Sequence, residues 1–174
     1  MLSGALQGNF LTLLSRLLQP GRILEIGTFT GYSALCLAKG LREGGQLHTI
    51  ELREADATVA QQFFNRSPYG SQIFLHLGNA HEIIPSLQHT WDLVFLDADK
   101  VSYIDYFNMV FSSLRPKGFI LADNVFFHGQ VFNKEVKGKN AKAVAAFNQF
   151  INIRTDIEVM ILPLRDGLSL IQKK

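Results

Sequence analysis

Residues 22–33 read RILEIGTFTGYS, and this stretch decides the fold. The apolar run at residues 22–26 is typical of a buried strand, and a helix is predicted for residues 32–39. Between them, Gly27 and Gly31 allow the backbone to turn tightly and to come close to a ligand. A strand, a glycine turn and a helix in this order indicate one unit of a doubly wound α/β sheet.

The rest of the chain alternates between short β-branched runs and longer segments with helical spacing, which is the pattern of an α/β fold. Strands are predicted for residues 22–26, 46–50, 73–77, 91–96, 119–122, 157–162 and 168–171. Helices are predicted for residues 32–39, 54–65, 81–87, 103–114 and 141–153. The sequence therefore predicts a seven-stranded, mostly parallel, doubly wound sheet that ends in an antiparallel hairpin. Residues 127–140 are expected to form an irregular loop, either a lid over a ligand or a plain connection.

The composition indicates one soluble domain over residues 1–174, with a mass of 19.5 kDa. Hydrophobic residues make up 47% of the chain and charged residues 18%, which excludes a disordered chain. The formal net charge of +2 is too small to favour nucleic acid as a partner. The single cysteine, Cys36, excludes an intrachain disulfide and suits the reducing cytoplasm. No apolar run approaches the ~20 residues of a membrane span, so we expect a cytoplasmic protein without membrane contact.

Residues at three strand ends predict an adenosine ligand. The glycine spacing is G-x-x-x-G, and Phe29 takes the place of the glycine that admits a pyrophosphate in dinucleotide-binding turns. Glu51 follows Gly27 by 24 residues (51 − 27), a spacing at which a carboxylate accepts hydrogen bonds from ribose hydroxyls. Residues 78–81 follow the third strand and would lie beside the base. Taken singly, the glycines could serve the turn alone, Glu51 could be a surface carboxylate and Asn79 could cap a helix.

Polar residues also end the fourth and fifth predicted strands. Asp97, Asp99 and Lys100 follow one strand, and Asp123 and Asn124 follow its neighbour. Neighbouring parallel strands lie about 4.8 Å apart, so side chains from both ends can meet around one ion. Two carboxylates and an amide oxygen suit Mg²⁺, Mn²⁺ or Ca²⁺ rather than zinc. The alternative is that Asp97 and Asp123 cap the helices that follow them.

Five motifs occur in order along the chain: LEIGTFTGYS at residues 24–33, TIEL at 49–52, LDADK at 96–100, ADN at 122–124 and DGLSL at 166–170. Together they resemble the motifs of the cation-dependent O-methyltransferases that use S-adenosylmethionine, a family typified by catechol and caffeoyl-coenzyme A O-methyltransferases. The resemblance covers nearly the whole chain and implies a Rossmann-like methyltransferase fold. Members of the family usually carry further N-terminal helices that help cover the substrate and the dimer interface, whereas this chain begins near the segment that enters the cofactor site, so we expect those helices to be absent. A homodimer is also compatible with the resemblance.

The resemblance also implies a role for each matching residue. The cofactor-binding residues would be Glu25, Gly27, Thr28, Gly31, Tyr32, Ser33, Glu51, Leu52, Asn79, Ala80 and Asp97. The metal ligands would be Asp97, Asp123 and Asn124, and Mg²⁺ is the favoured ion. Lys100 matches the general base of the family, with Asp97 as its catalytic partner. The alternative for Lys100 is a plain ion pair with Asp97 or Asp99.

The implied reaction is methylation of one oxygen of a small vicinal dihydroxy aromatic. A phenol is mostly protonated at neutral pH and is a poor nucleophile until it loses that proton. A divalent cation that binds both oxygens stabilises the phenolate, and a nearby amine can accept the proton. Two alternatives stay open at this point: a nicotinamide-dependent oxidoreductase, and a catalytically silent module that binds an adenosine cofactor.

Overall fold

A seven-stranded sheet forms the centre of the computed structural model, which describes residues 4–174. Its strands are β1 (Arg22–Ile26), β2 (Gln46–Glu51), β3 (Ile73–Leu77), β4 (Trp91–Leu96), β5 (Leu114–Asp123), β6 (Ile157–Leu162) and β7 (Leu168–Lys173). The strand order is β3-β2-β1-β4-β5-β7-β6. The strands β1 to β5 are parallel, and β7 runs antiparallel to both of its neighbours. The predicted doubly wound sheet with a C-terminal antiparallel hairpin is therefore confirmed.

Two layers of helices cover the sheet. The helices are α1 (Gly4–Leu18), α2 (Tyr32–Ala38), α3 (Glu54–Arg66), α4 (Ala80–Ser86), α5 (Tyr103–Phe111) and α6 (Lys139–Asn152). Buried side chains of α1, α2 and α3 pack on one face of the sheet, and those of α4, α5 and α6 pack on the other. None of the helices described between residues 4 and 174 is long and apolar enough to cross a membrane.

The central strands are buried from both sides because helices cover both faces. In β1, Ile23 and Leu24 point to opposite faces, and both are fully buried. The chain order reverses at β1, since β2 pairs with one edge of it and β4 with the other. In sheets of this type, a ligand crevice opens at the carboxyl ends of the strands at the point of reversal. The fold thus places a candidate site beyond Ile26 and its β4 partner Leu96.

The structure differs from the sequence-based elements at two places. The sequence analysis assigns its first element at residue 22, and in the structure Gly4–Leu18 also forms a helix, which packs on α2. The helix expected to run to Leu114 ends at Phe111, and Leu114 instead begins β5. Leu114 is buried and pairs with Trp91, so it contributes more as the start of a core strand than as the last turn of a helix. Residues 115–118, which the sequence places between a helix and a strand, are an irregularity within β5.

Candidate active site

A cavity of about 340 Å³ opens at the carboxyl ends of β1, β2 and β4. Nine of the predicted cofactor residues line it: Gly27, Thr28, Tyr32, Ser33, Glu51, Leu52, Asn79, Ala80 and Asp97. They come together because parallel strands end at the same edge of the sheet. Gly31 and Glu25, which were also predicted, do not line the cavity.

The glycine turn shapes the cavity wall through its backbone conformation. Gly27 has a φ of 97°, and a Cβ atom there would lie 2.3 Å from the backbone oxygen of Asp97. Gly31 has a φ of 83°, and a Cβ atom there would lie 2.5 Å from the Phe64 ring. Both positions therefore require glycine, one for the close approach of β1 and β4 and the other for packing of α2 against α3. Gly31 serves the turn without facing the ligand space.

The carboxylate of Glu51 ties the glycine turn to the end of β2. Its Oε2 accepts a hydrogen bond from the backbone N–H of Phe29 at 2.7 Å, and its Oε1 accepts one from the backbone N–H of Arg53 at 2.9 Å. The side chain is buried yet lines the cavity. Because a carboxylate oxygen accepts more than one hydrogen bond, both oxygens keep acceptor capacity for hydroxyl groups of a ligand.

Glu25 lies on β1 beneath the cavity and is fully buried. Its Oε2 accepts a hydrogen bond from the Thr49 hydroxyl at 2.5 Å, while its Oε1 has no hydrogen bond of normal geometry among the described residues. Burial raises the pKa of Glu25 to about 8, and the nearby hydroxyls of Ser33 and Thr49 only partly oppose this. The carboxyl group is therefore mostly neutral at pH 7.

The ends of β4 and β5 bring two of the predicted metal ligands, Asp97 and Asp123, close to each other. Asp97 and Asp123 follow the paired residues Leu96 and Ala122, and Asp123 is buried. Burial raises the pKa of Asp97 to about 6; Lys100 lowers it, and the negative charge of Asp123 raises it further. The two carboxylates are thus close enough to repel each other.

The capping alternative for the two aspartates receives no support. Asp99, and not Asp97, accepts the hydrogen bond from the backbone N–H of Ser102 that caps the next turn. Asp123 Oδ1 accepts a hydrogen bond from the adjacent backbone N–H of Asn124, whose φ is 59°. Among residues 4–174, no group of three or more His, Cys, Asp or Glu side chains is arranged to hold a metal ion. A cation here would need the Asn124 amide and oxygens from water or substrate as further ligands.

Lys100 makes the ion pair that was foreseen as the alternative to a catalytic role. Its Nζ lies 3.3 Å from Asp97 Oδ1 and 3.5 Å from the backbone oxygen of Asp123. The side chain of Lys100 is only 11% exposed, so the pair is not an ordinary surface ion pair. The amine therefore lies between the two strand ends that carry the predicted metal ligands.

Sequence reasoning missed two tyrosines on α5 that belong to the site. Tyr106 lines the cavity, and its hydroxyl donates to Asp99 Oδ1 at 2.7 Å. Tyr103 is fully buried, and its hydroxyl contacts the backbone oxygens of Leu96 and Asp123. Of the two, Tyr103 has the helical spacing of the buried face of α5. A spacing pattern does not distinguish tyrosine from phenylalanine. The polar role of the two hydroxyl groups could therefore not be predicted from the spacing.

Sequence comparisons identify the family of the chain. A family model described as O-methyltransferase matches residues 1–174. A catechol O-methyltransferase from Niastella koreensis is 35% identical over 173 residues, which cover 94% of this chain and 78% of the relative. Caffeoyl-CoA O-methyltransferase 2 from Zea mays is 28% identical over 186 residues, which cover 99% of this chain and 70% of the relative.

Solved structures show the same architecture. An O-methyltransferase from Streptomyces achromogenes involved in tomaymycin synthesis, solved in complex with S-adenosylmethionine, has a TM-score of 0.92 and 32% identity over 98% of this chain and 81% of its own. An O-methyltransferase from Bacillus cereus, solved in complex with S-adenosylhomocysteine, has a TM-score of 0.92 and 28% identity over 98% of this chain and 82% of its own. The chain belongs to the O-methyltransferase family, and the predictions of this family, its Rossmann-like fold and a methyltransferase enzyme are confirmed.

Proposed function

We propose that this O-methyltransferase transfers a methyl group from S-adenosylmethionine to one oxygen of a small vicinal dihydroxy aromatic, with a divalent cation as second cofactor. The observation that carries the proposal is the position of Asp97. This residue lines the cavity, pairs with Lys100 at 3.3 Å and is close enough to Asp123 to be repelled by it. A ligand cavity and a cluster of oxygen donors therefore share one side chain.

The cavity fits S-adenosylmethionine in size and in chemistry. Its volume of about 340 Å³ falls in the range of small-molecule sites. Glu51 is placed to accept hydrogen bonds from ribose hydroxyls, and Asn79 and Ala80 would flank the adenine. Glu25, on β1 just before the glycine turn, keeps a buried Oε1 without a hydrogen-bond partner among the described residues and would face the methionine moiety. Relatives solved with the cofactor or its product support this assignment.

The strand-end cluster fits a hard divalent cation. Its donors are the carboxylates of Asp97 and Asp123 and the amide oxygen of Asn124, a set that suits Mg²⁺ best and also Mn²⁺ or Ca²⁺. The repulsion between the partly buried Asp97 carboxylate and the buried Asp123 carboxylate is a second indication, because a positive ion between them would relieve it. A bound divalent cation supplies positive charge that stabilises a phenolate oxygen.

Lys100 is the residue placed to take the phenol proton. Its Nζ lies at the strand-end cluster, beside the cavity-lining carboxylate of Asp97. The amine must first give up its own proton before it can accept another, and Asp97 would orient the amine through the ion pair. The substrate class rests on the relatives, which include catechol and caffeoyl-CoA O-methyltransferases.

Methyl transfer from S-adenosylmethionine to a panel of catechols, flavonoids and hydroxycinnamoyl thioesters tests the proposal. We expect product with Mg²⁺ and loss of product when EDTA removes the cation. Asp105→Ala is the control for the loss of a carboxylate that lies outside the site. Asp105 is exposed on α5 and does not line the cavity, so the turnover of this variant should equal that of the wild type. Turnover that continues in EDTA would contradict the cation, and no turnover with any diol would contradict the substrate class.

The two alternatives raised by the sequence do not agree with the family assignment, because the relatives and the solved neighbours are O-methyltransferases. Phe29 at the second glycine position also disfavours the dinucleotide of an oxidoreductase. The cytoplasmic location, the homodimer and the lack of nucleic-acid and membrane partners stay predictions.

A further inference from the structure

The hydroxyl of Tyr103 connects the two strand ends that carry the candidate metal ligands. It lies 3.0 Å from the backbone oxygen of Leu96 at the end of β4 and 2.9 Å from that of Asp123 at the end of β5. Its third neighbour is Lys100 Nζ at 2.5 Å. One fully buried hydroxyl thus contacts both strands and the candidate base.

We propose that Tyr103 is a positioning residue, whose hydroxyl holds the ends of β4 and β5 together and fixes the amine of Lys100 between them. The inference rests on the proposed function for its consequence in catalysis. The geometry itself does not depend on which substrate is methylated. Tyr103 does not line the cavity and is not assigned any contact with cofactor or substrate.

The hydrogen-bond roles of these groups are determined by their chemistry. A lysine ammonium only donates, so the Tyr103 oxygen accepts from Lys100 and its own proton is shared between the two strand carbonyls. The three ammonium protons of Lys100 then have three acceptors: Tyr103 Oη, Asp97 Oδ1 and the backbone oxygen of Asp123. The Tyr103 hydroxyl is thus one of the three acceptors that together fix the position of the amine.

The ring of Tyr103 is held independently of its hydroxyl. It packs edge to face against Phe147 of α6, with ring centroids 5.3 Å apart. Lys100 Nζ also lies 4.6 Å from the centroid of the Tyr103 ring. Because these contacts involve the ring alone, Tyr103→Phe removes the hydroxyl and keeps the packing. A purely structural residue would lose stability in this variant without any change at Lys100.

Chemical labelling of Lys100 distinguishes the two roles. Native protein would be treated with limiting formaldehyde and borohydride. Peptide mass spectrometry would then measure how fast each lysine is methylated. We expect Lys100 to react about tenfold faster in Tyr103→Phe than in the wild type, the effect of losing one hydrogen bond to a charged group. Lys173 is the internal control, because its Nζ is anchored by the backbone oxygens of Phe111 and Leu114 at 2.8 Å each.

A second variant and two further readouts complete the test. Tyr69 packs in the core on the other face of the sheet, so Tyr69→Phe should leave the labelling rate of Lys100 unchanged. Binding of Mn²⁺ to the cofactor-free protein, followed by electron paramagnetic resonance, should weaken about tenfold in Tyr103→Phe, while S-adenosylhomocysteine binding stays the same. If Tyr103→Phe does not fold, a nuclear Overhauser effect between the ammonium protons of Lys100 and the Tyr103 ring in the wild type replaces the variant.

The outcomes separate this inference from the proposed function. An unchanged Lys100 rate in folded Tyr103→Phe would overturn the positioning role. So would the absence of the Overhauser effect between Lys100 and Tyr103 in a sample that shows one between Lys173 and the Phe111 ring, whose centroid lies 4.7 Å from Lys173 Nζ. If Lys100 is released in the variant but the wild type binds no Mn²⁺, the positioning role stands and the cation proposal fails.

Discussion

Glu25 is a buried carboxyl group beneath the cavity, and we expect Glu25→Gln to change how the free energy of unfolding depends on pH. In the folded protein, burial raises the pKa of Glu25 to about 8, whereas its ordinary value is 4.5. The folded state therefore holds a proton between these two pH values that the unfolded state has released. By linkage, the stability contributed by this proton is fully present below pH 4.5 and is lost as pH rises through 8.

The size of the effect follows from the two pKa values. Each pH unit between them is worth about 1.36 kcal/mol, so the wild type should lose up to about 5 kcal/mol of unfolding free energy across this range from Glu25 alone. The amide side chain in Glu25→Gln carries no titrating proton, so the variant would lose none of this free energy. The variant should therefore be the less pH-sensitive protein and the more stable of the two above pH 8.

Urea denaturation at a series of pH values from 5 to 9 measures this difference directly. The quantity of interest is the unfolding free energy of Glu25→Gln minus that of the wild type, because the other titrating groups cancel in it. It should rise from pH 5 to about pH 8 and level off above that pH. Asp105→Asn, at an exposed position on α5, is the control and should give a flat difference. Two parallel stability curves for Glu25→Gln and the wild type would refute a neutral buried Glu25.

Three further substitutions test the site. Asp123→Ala should abolish cation-dependent turnover and leave the calorimetric Kd of S-adenosylhomocysteine nearly unchanged, since the glycine turn is untouched; equal loss of both would contradict the separation of the two cofactor sites. Glu51→Ala should weaken S-adenosylhomocysteine binding by about tenfold to a hundredfold, because the backbone N–H groups of Phe29 and Arg53 lose a charged acceptor. Unchanged affinity would remove Glu51 from the cofactor site. Gly27→Ala should lower the unfolding free energy by about 1–3 kcal/mol, since its φ of 97° and the nearby Asp97 oxygen leave no room for a Cβ atom. Thermal and urea denaturation would show whether the turn tolerates the change.

The centre of the fold was predictable because its sequence signals are local. The run at residues 22–26 is a buried strand with the predicted bounds, and the glycines that follow it have the positive φ values that a tight turn requires. The same logic located most of the cavity, because parallel strands deliver their next residues to one edge. Gly27, Glu51, Asn79 and Asp97 therefore meet although they are far apart in the chain.

The parts that were not predicted depend on contacts between distant segments. Helix α1 contains Gly8, which lowers helix propensity, yet a Cβ atom there would lie 2.4 Å from the Tyr32 hydroxyl. The glycine is thus explained by packing on α2, which a sequence read segment by segment does not show. In the same way, Leu114 has the spacing of a helix residue but pairs with Trp91 in the sheet. The role of Tyr103 depends on two strand carbonyls that no motif contains.

An anomalous difference map at the manganese absorption edge, from crystals grown with Mn²⁺ and S-adenosylhomocysteine, tests the central claim most directly. We predict one peak in contact with oxygens of Asp97, Asp123 and Asn124, beside the sulfur of the cofactor product. A product molecule bound in the cavity without a manganese peak at these three residues, or with the peak elsewhere, would contradict the shared cation and cofactor site.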